Sequence, residues 1–344
     1  MAQSSDDLFE ILAPAIWHAP LVFNSPHSGE FLPKILTEQS RLGEADLRQS
    51  EDRAVDLLFM GCLEAGAPML RALASRAYVD LNREPYELDP RMFLEPLPGN
   101  MNPGSPRVAA GFGTVPRQVG EGFDIYRGRI SLNDALQRIE IYYKPYHRAL
   151  GELLQRAQNA EGLALLVDCH SMPGSAAKPS GAHSKSADIV LGDKFGLSCA
   201  AEISAWIDQF FAKHGLHTVR NKPYAGGFIT ETYGAPHHGR HAIQVEINRS
   251  LYMNEVTTQL SQSFANLREV LNLFACDLAK FIKELKSINS FKQAAVIKRG
   301  PINFHDRPKS REETPKKGNE RGQKPSSRKV GFGAATYIFQ AKFW

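Results

Sequence analysis

The run LALLVDCH (163–170) constrains this chain more than any other stretch. It is Leu-rich and lacks the polar alternation of a half-exposed strand, so it reads as a strand covered on both faces. LVFN (21–24), AYVDLN (77–82), ADIVLG (187–192), HTVRN (217–221) and HAIQVEIN (241–248) complete the predicted strands. Amphipathic stretches lie between them, and helices are predicted over roughly 44–65, 130–160, 196–214 and 255–287. In the last, Leu260, Phe264, Leu267, Leu271 and Leu273 follow helical spacing, with NEVT supplying the start. Covered strands alternating with helices predict an α/β fold: a single three-layer domain around a mixed, mostly parallel sheet. No internal repeat is visible.

Charge divides the chain. Residues 291–344 hold 13 Lys/Arg against 4 Asp/Glu, a surplus of +9, so the preceding 290 residues carry −5 of the total +4. The expected organisation is therefore a domain over 1–290 and a basic, largely disordered tail over 291–344, since HDRPKSREETPKKGNERGQKPSSRKVGFG (305–333) has almost no aliphatic residues before the apolar ending ATYIFQAKFW. That ending suits docking on the body or on a partner. A basic tail can also touch nucleic acid electrostatically, but no nucleic-acid fold motif accompanies it, and a solvating extension is the expected role. No apolar run reaches the roughly 18 residues that span a bilayer. The acidic, polar start MAQSSDDLFE resembles neither a signal nor a transit peptide. Cys62, Cys169, Cys199 and Cys276 lack metal-finger or redox spacing, which fits a reducing compartment. A cytoplasmic location is expected.

Chemistry gathers beyond the carboxyl ends of strands in sheets of this type. LVFNSPHSG places His27 just past one predicted strand, and LALLVDCHSMPG places His170 at the end of another. Two imidazoles and one carboxylate make a three-ligand metal site with an open position. Glu51, Asp52 and Asp56 of QSEDRAVDLLF offer that carboxylate, although acids at a helix start are also favoured by the helix dipole alone. Asn82 and Arg83 of RAYVDLNRE suit the grip of a substrate carboxylate, or Arg83 pairs with a surface acid; Arg76 reaches the same region. Glu246, at the end of HAIQVEIN, needs a partner such as Arg249 or a task as general base. The Pro- and Gly-rich segment 84–128 either covers the site or is a solvated insertion.

Together NSPHSG, SRAYVDLNRE, VDCHSMPG and NKPYAGGFITETYG…HAIQVEINRSLYM resemble, in the same order, the N-formylglutamate amidohydrolase family, over roughly residues 15 to 285. The resemblance implies a zinc-dependent hydrolase with a fold similar to zinc carboxypeptidases. It implies that His27 and His170 are zinc ligands with Asp52 as the third, Glu51 being the alternative. Glu246 then corresponds to the base that takes a proton from the attacking water. Asn82 and Arg83 hold the substrate carboxylate, with Arg249 a further cation for it, and Arg76, slightly out of register with the family position, helps to stabilise the oxyanion. PYAGGF (223–228) resembles a substrate loop. The implied substrate is a small N-acyl amino acid, N-formyl-L-glutamate first, giving formate and glutamate as in the last step of one histidine-degradation route. Another N-acyl amino acid, a peptide-derived substrate, or a metal-free binding module stand as alternatives.

Overall fold

Alternation along the strands places the sheet at the centre of three layers. A computed structural model describes residues 8–120, 122–177 and 185–298. Its strands are β1 (Phe9–Leu12), β2 (Leu21–Ser25), β3 (Met69–Ala72), β4 (Ala164–Met172), β5 (Ile189–Gly192), β6 (Thr218–Arg220) and β7 (Arg240–Asn248). They form one sheet in the order β1-β3-β2-β4-β7-β5-β6. The pairs β2–β3, β2–β4, β4–β7 and β5–β6 are parallel, whereas β1–β3 and β5–β7 are antiparallel. The expected mixed, mostly parallel sheet is the one observed.

The α-helices are α1 (Lys34–Gln39), α2 (Glu44–Leu47), α3 (Val55–Leu58), α4 (Pro106–Ala109), α5 (Leu132–Arg138), α6 (Lys144–Glu161), α7 (Ala201–Lys213), α8 (Phe228–Tyr233) and α9 (Ser263–Lys298). Because side chains alternate across a strand, Phe23, Leu165, Val167, Ile243 and Val245 face one layer, where they meet Val55 of α3, Ile207 of α7 and Phe274 of α9. Val22, Leu166 and Ala242 face the other, packing with Tyr142, Tyr146 and Leu150. Both faces are covered, which is why LALLVDCH shows no polar stripe of solvent-facing residues.

Several predicted elements change. AYVDLN is not a strand: Tyr78, Val79 and Leu81 are buried in the core without a ladder, and the Asp80 amide donates to Thr114 O at 2.8 Å. Burial of the whole stretch accounts for its apolar character, but a strand also needs a neighbouring edge. That edge is taken by β3, which pairs with β1, two short strands that the pattern did not single out. The predicted helix 44–65 breaks around residues 51–54. Here the Asp52 amide donates to His27 O at 2.9 Å and Ala54 takes a left-handed φ of 58°, so a tertiary bond overrides helical propensity. The helix predicted from 255 begins at Ser263. Asn254 Oδ1 accepts from the amides of Val256 and Thr257, closing a local turn that stops short of the helix.

The helix predicted over 130–160 is present, started by Ser131, whose side chain accepts from Asn133 N, and ended by Gly162 at φ 76°. A π turn at Ile139–Tyr143 joins α5 to α6. Segment 84–128 is a packed element rather than a solvated insertion, since Leu88, Met92, Phe93, Val115, Ile125 and Tyr126 are buried in the core. The body forms one unit, Met1–Ser287; a second unit, Ile288–Phe343, is described only to the end of α9. Most of the predicted tail, 299–344, lies outside the described residues. Among the described residues no helix is long and apolar enough to cross a membrane.

Candidate active site

On one face of β4 the apolar series stops at Leu166 and gives way to Asp168 and His170, with Glu246 of β7 directly opposite His170 in the ladder. Asn24 of β2, opposite Asp168, continues the polar patch. His27 lies just beyond β2, and Gly29 lets its segment lie against β3's continuation: a Cβ there would sit 2.3 Å from Ala74 O. Asp52 joins from the broken helix through its amide bond to His27 O.

His27, Asp52 and His170 each bring one ligand atom to a point where all three lie within 4.8 Å of one another, and all three residues are buried. Asp52 Oδ2 is 2.9 Å from His170 Nδ1 and 3.5 Å from His27 Nδ1. The imidazole rings meet edge to face, with centroids 4.7 Å apart. Each outer nitrogen faces a further carboxylate: His27 Nε2 lies 2.7 Å from Asp80 Oδ1 and His170 Nε2 lies 3.0 Å from Asp168 Oδ2. Asn82 Nδ2 also lies 3.0 Å from His170 Nε2. Carboxylates on the outer nitrogens suit rings that would carry the proton on Nε2 and offer Nδ1 to a metal, the pattern of carboxylate-backed metal ligands.

The cluster suits a divalent cation on its own evidence. Among the described residues His27 Nδ1 is buried with no hydrogen-bond partner, facing an acceptor oxygen, an arrangement that costs free energy unless positive charge stands between them. Although burial works against it, the carboxylates of Asp168, Asp52 and Glu246 hold the His170 pKa well above the ordinary histidine value. Burial likewise opposes the charge on Asp52, but the two imidazoles hold its carboxyl well below the ordinary range. A proton and a metal ion are thus alternative sources of the positive charge that this acidic pocket favours.

Glu246 is buried, and burial pushes its carboxyl up to about 7. Its partner is Gln244, whose Nε2 donates at 2.6 Å, and not Arg249 as expected. Arg249 instead donates to Asp52 Oδ1 and Glu51 O, both at 2.9 Å, and to Ser171 Oγ at 3.0 Å. Glu51, expected as the alternative ligand, stands outside this cluster: burial pushes its carboxyl up to about 7, and its Oε1 lies 3.5 Å from Arg48 Nη1.

Arg76 donates to Asp80 Oδ2 at 2.6 Å. Arg83 donates to Phe112 O and Asn82 O, both at 2.9 Å, and burial draws its pKa down to about 10. Segment 84–128 therefore borders the site through Phe112. The Asn82 amide is spent inside the protein: Oδ1 accepts from Ile229 N at 2.8 Å and Nδ2 donates to Asp168 Oδ2 at 3.3 Å. Gly227 permits this, because a Cβ would lie 2.3 Å from Asn82 Oδ1. The PYAGGF segment is thereby anchored beside His170. Tyr143 Oη and His147 Nε2 donate to the carbonyls of Arg83 and Leu81, holding the same stretch from the helical layer.

Sequence reasoning missed Asp80, Asp168 and Asn24. The signal for Asp168 was period two: in VDCH it precedes His170 by two residues and so shares its face. Tyr146, which donates to Asn24 Oδ1 at 2.6 Å, gave no signal, being one more aromatic on an amphipathic helix.

A buried carboxylate–imidazole cluster beside a glutamate of raised pKa, at the carboxyl edge of a mixed α/β sheet, is the equipment of a hydrolase. Similarity to known proteins narrows the class. This chain belongs to the N-formylglutamate amidohydrolase family, whose profile matches residues 19–253. It is 29% identical over 249 residues to the N-formylglutamate deformylase of Pseudomonas aeruginosa, covering 72% of this chain and 86% of that one. To the N-formylglutamate deformylase of Pseudomonas putida it is 28% identical over 239 residues, covering 69% and 82%. The crystal structure of N-formylglutamate amidohydrolase from Ralstonia eutropha JMP134 superposes with a TM-score of 0.77 at 31% identity, covering 81% of this chain and 99% of that one.

Proposed function

We propose that this protein is a zinc-dependent amidohydrolase that cleaves N-formyl-L-glutamate to formate and L-glutamate. The observation that carries the reading is Asp52 Oδ2 lying between two inward-facing Nδ1 atoms, one of them buried without a partner. Family membership supports the substrate. His27, Asp52 and His170 would hold the metal, whose Lewis acidity acidifies water and polarises a carbonyl.

The chain's own groups do the rest. Glu246, with its pKa raised toward neutrality, takes a proton from the attacking water and delivers it to the amide nitrogen as the C–N bond breaks. Gln244 Nε2, donating to Oε1, holds that carboxylate in place. Arg76 faces the developing oxyanion, its guanidinium fixed by Asp80. Arg83 and Arg249 supply positive charge for the two substrate carboxylates. Asn82 serves the pocket as a fixed amide that holds the backbone at Ile229 and the carboxylate of Asp168. We place the enzyme in the cytoplasm and treat residues 291–344 as an extension that takes no part in hydrolysis.

The test is formate release from N-formyl-L-glutamate by zinc-loaded protein, with a chelator-treated control. Chelator-sensitive turnover is expected. Stoichiometric zinc without turnover would rule out this substrate and direct the search to other N-acyl amino acids. Failure to bind zinc would rule out the metal site.

A further inference from the structure

Asp80 lay outside the expected site, yet its two oxygens serve different parts of it. Oδ1 accepts from His27 Nε2 at 2.7 Å and from the backbone N–H of Asn82 at 2.9 Å. Oδ2 accepts from Arg76 at 2.6 Å and lies 3.6 Å from Arg83. The side chain is 4% exposed, so these contacts replace water rather than compete with it. Asp168, which backs the other imidazole, is differently engaged: its partners are His170 Nε2 and the amides of Asn24 and Asn82.

Resting on the function proposed above, we infer that Asp80 is a positioning residue that couples the metal-binding half of the site to its substrate-binding half, one oxygen setting His27 and the other aiming Arg76 and Arg83. The physical basis is the rigidity of a carboxylate. Its oxygens are held in one plane, so a shift that serves the imidazole moves the guanidinium as well. One oxygen meets an imidazole and a backbone N–H and the other two guanidinium groups, so the carboxylate is surrounded by donors and serves as an acceptor on both sides. An amide cannot replace it. Asparagine at this position has a single acceptor oxygen, and its NH2 would face either the His27 N–H or the Arg76 guanidinium, donor against donor.

The experiment compares Asp80→Asn with Asp168→Asn in the full chain, measuring zinc affinity of the metal-free protein against a chromophoric chelator, then kcat and KM at saturating zinc. Thermal unfolding checks the fold of each variant. Both variants are expected to lose zinc affinity by about 10–100-fold, the usual effect of removing a carboxylate behind a metal-binding histidine. Asp80→Asn is expected to raise the zinc-saturated KM as well, by about tenfold or more, the scale of a lost charge-assisted hydrogen bond. Asp168→Asn, whose carboxylate is paired with His170, Asn24 and Asn82 and not with Arg76 or Arg83, is expected to raise KM clearly less. Wild-type zinc affinity in Asp80→Asn, or a KM matching that of Asp168→Asn, would overturn the proposal.

Should Asp80→Asn fail to fold, Asp80→Glu keeps both acceptors but displaces them by a methylene. Weakened zinc binding together with a raised KM is expected, and wild-type values for both would overturn the coupling. A wild-type protein that binds no zinc overturns this proposal together with the functional reading. One that binds zinc without hydrolysing N-formyl-L-glutamate overturns only the substrate, and the zinc arm still decides on Asp80.

Discussion

The two faces of β4 carry opposite kinds of residue. On one, Leu165, Val167 and Cys169 join a continuous apolar core with α3, α7 and α9. On the other, Leu166 is followed by Asp168 and His170, and the neighbouring strands contribute Asn24 and Glu246. Both faces are buried, so burial does not distinguish them. The difference is how the buried groups are satisfied. The apolar face needs only shape, whereas the polar face needs a specific partner for each oxygen and nitrogen, and among the described residues His27 Nδ1 and Gln244 Oε1 have none. One strand thus separates stability from chemistry by residue parity, and substitutions on its two faces should fail in different ways.

The largest contrast is expected between His170→Ala and Leu165→Ala. His170→Ala should abolish stoichiometric zinc binding and lower kcat/KM by about 10³-fold or more, the scale seen when a group acting directly in the chemistry is removed. Retention of both zinc and activity would show the site to be misplaced. On the neighbouring strand, Glu246→Gln should retain zinc and lower kcat by about 10²–10⁴-fold, as for loss of a general base; unchanged turnover would remove Glu246 from the mechanism. Leu165→Ala, at a fully buried position, should instead cost about 2–5 kcal/mol in denaturant unfolding. Its zinc-saturated kinetics should stay near wild type, and a selective loss of kcat would end the division between the faces.

A smaller effect tests the layer behind the polar face. Burial pushes His147 down to about 4 from an ordinary 6.5, while its Nε2 faces Leu81 O at 2.9 Å. Below pH 6.5 the unfolded chain binds a proton that the native chain refuses. Stability should therefore fall as pH drops from 6.5 toward 4 and level off below that, with a total of about 3 kcal/mol from this group. Urea titrations across that window should show a shallower slope in His147→Gln than in wild type; equal slopes would remove His147 as the cause. Smallest of all, removal of residues 299–344 should leave formate release unchanged within about twofold, since the residues proposed for the reaction all lie between His27 and Arg249. Loss of activity without unfolding would give the tail a part in the reaction.

Much of the site was legible because its residues sit where strands end. His27, His170 and Glu246 each close an apolar run, and Asp52 lies in an acidic group close by in sequence. Their partners were less legible. Glu246 pairs with Gln244 two residues away rather than with Arg249, because neighbours on one strand face share a side and Arg249 is drawn to Asp52 instead. Asp80 was hidden inside a stretch that has the pattern of a strand but lacks a ladder. All six of its residues are buried, yet burial alone does not make a strand. Which backbone pairs with which depends on distant strands, and nothing local in FEIL or MLRA marks them as the pair that takes that edge.

By itself the sequence determined the fold class, the covered strands, the basic end and the residue types able to meet at the carboxyl edge. These follow from local periodicity and composition, which the chain carries wherever it goes. The tertiary structure decided that Asp52 rather than Glu51 turns to the imidazoles, and that Asp80 and Asp168 back them. It also decided that Arg249 binds Asp52. The physical reason is that adjacent acids are equivalent in a linear chain. Only a fixed backbone, here the Asp52 amide bonded to His27 O and the left-handed turn at Ala54, sends one carboxylate inward and its neighbour away.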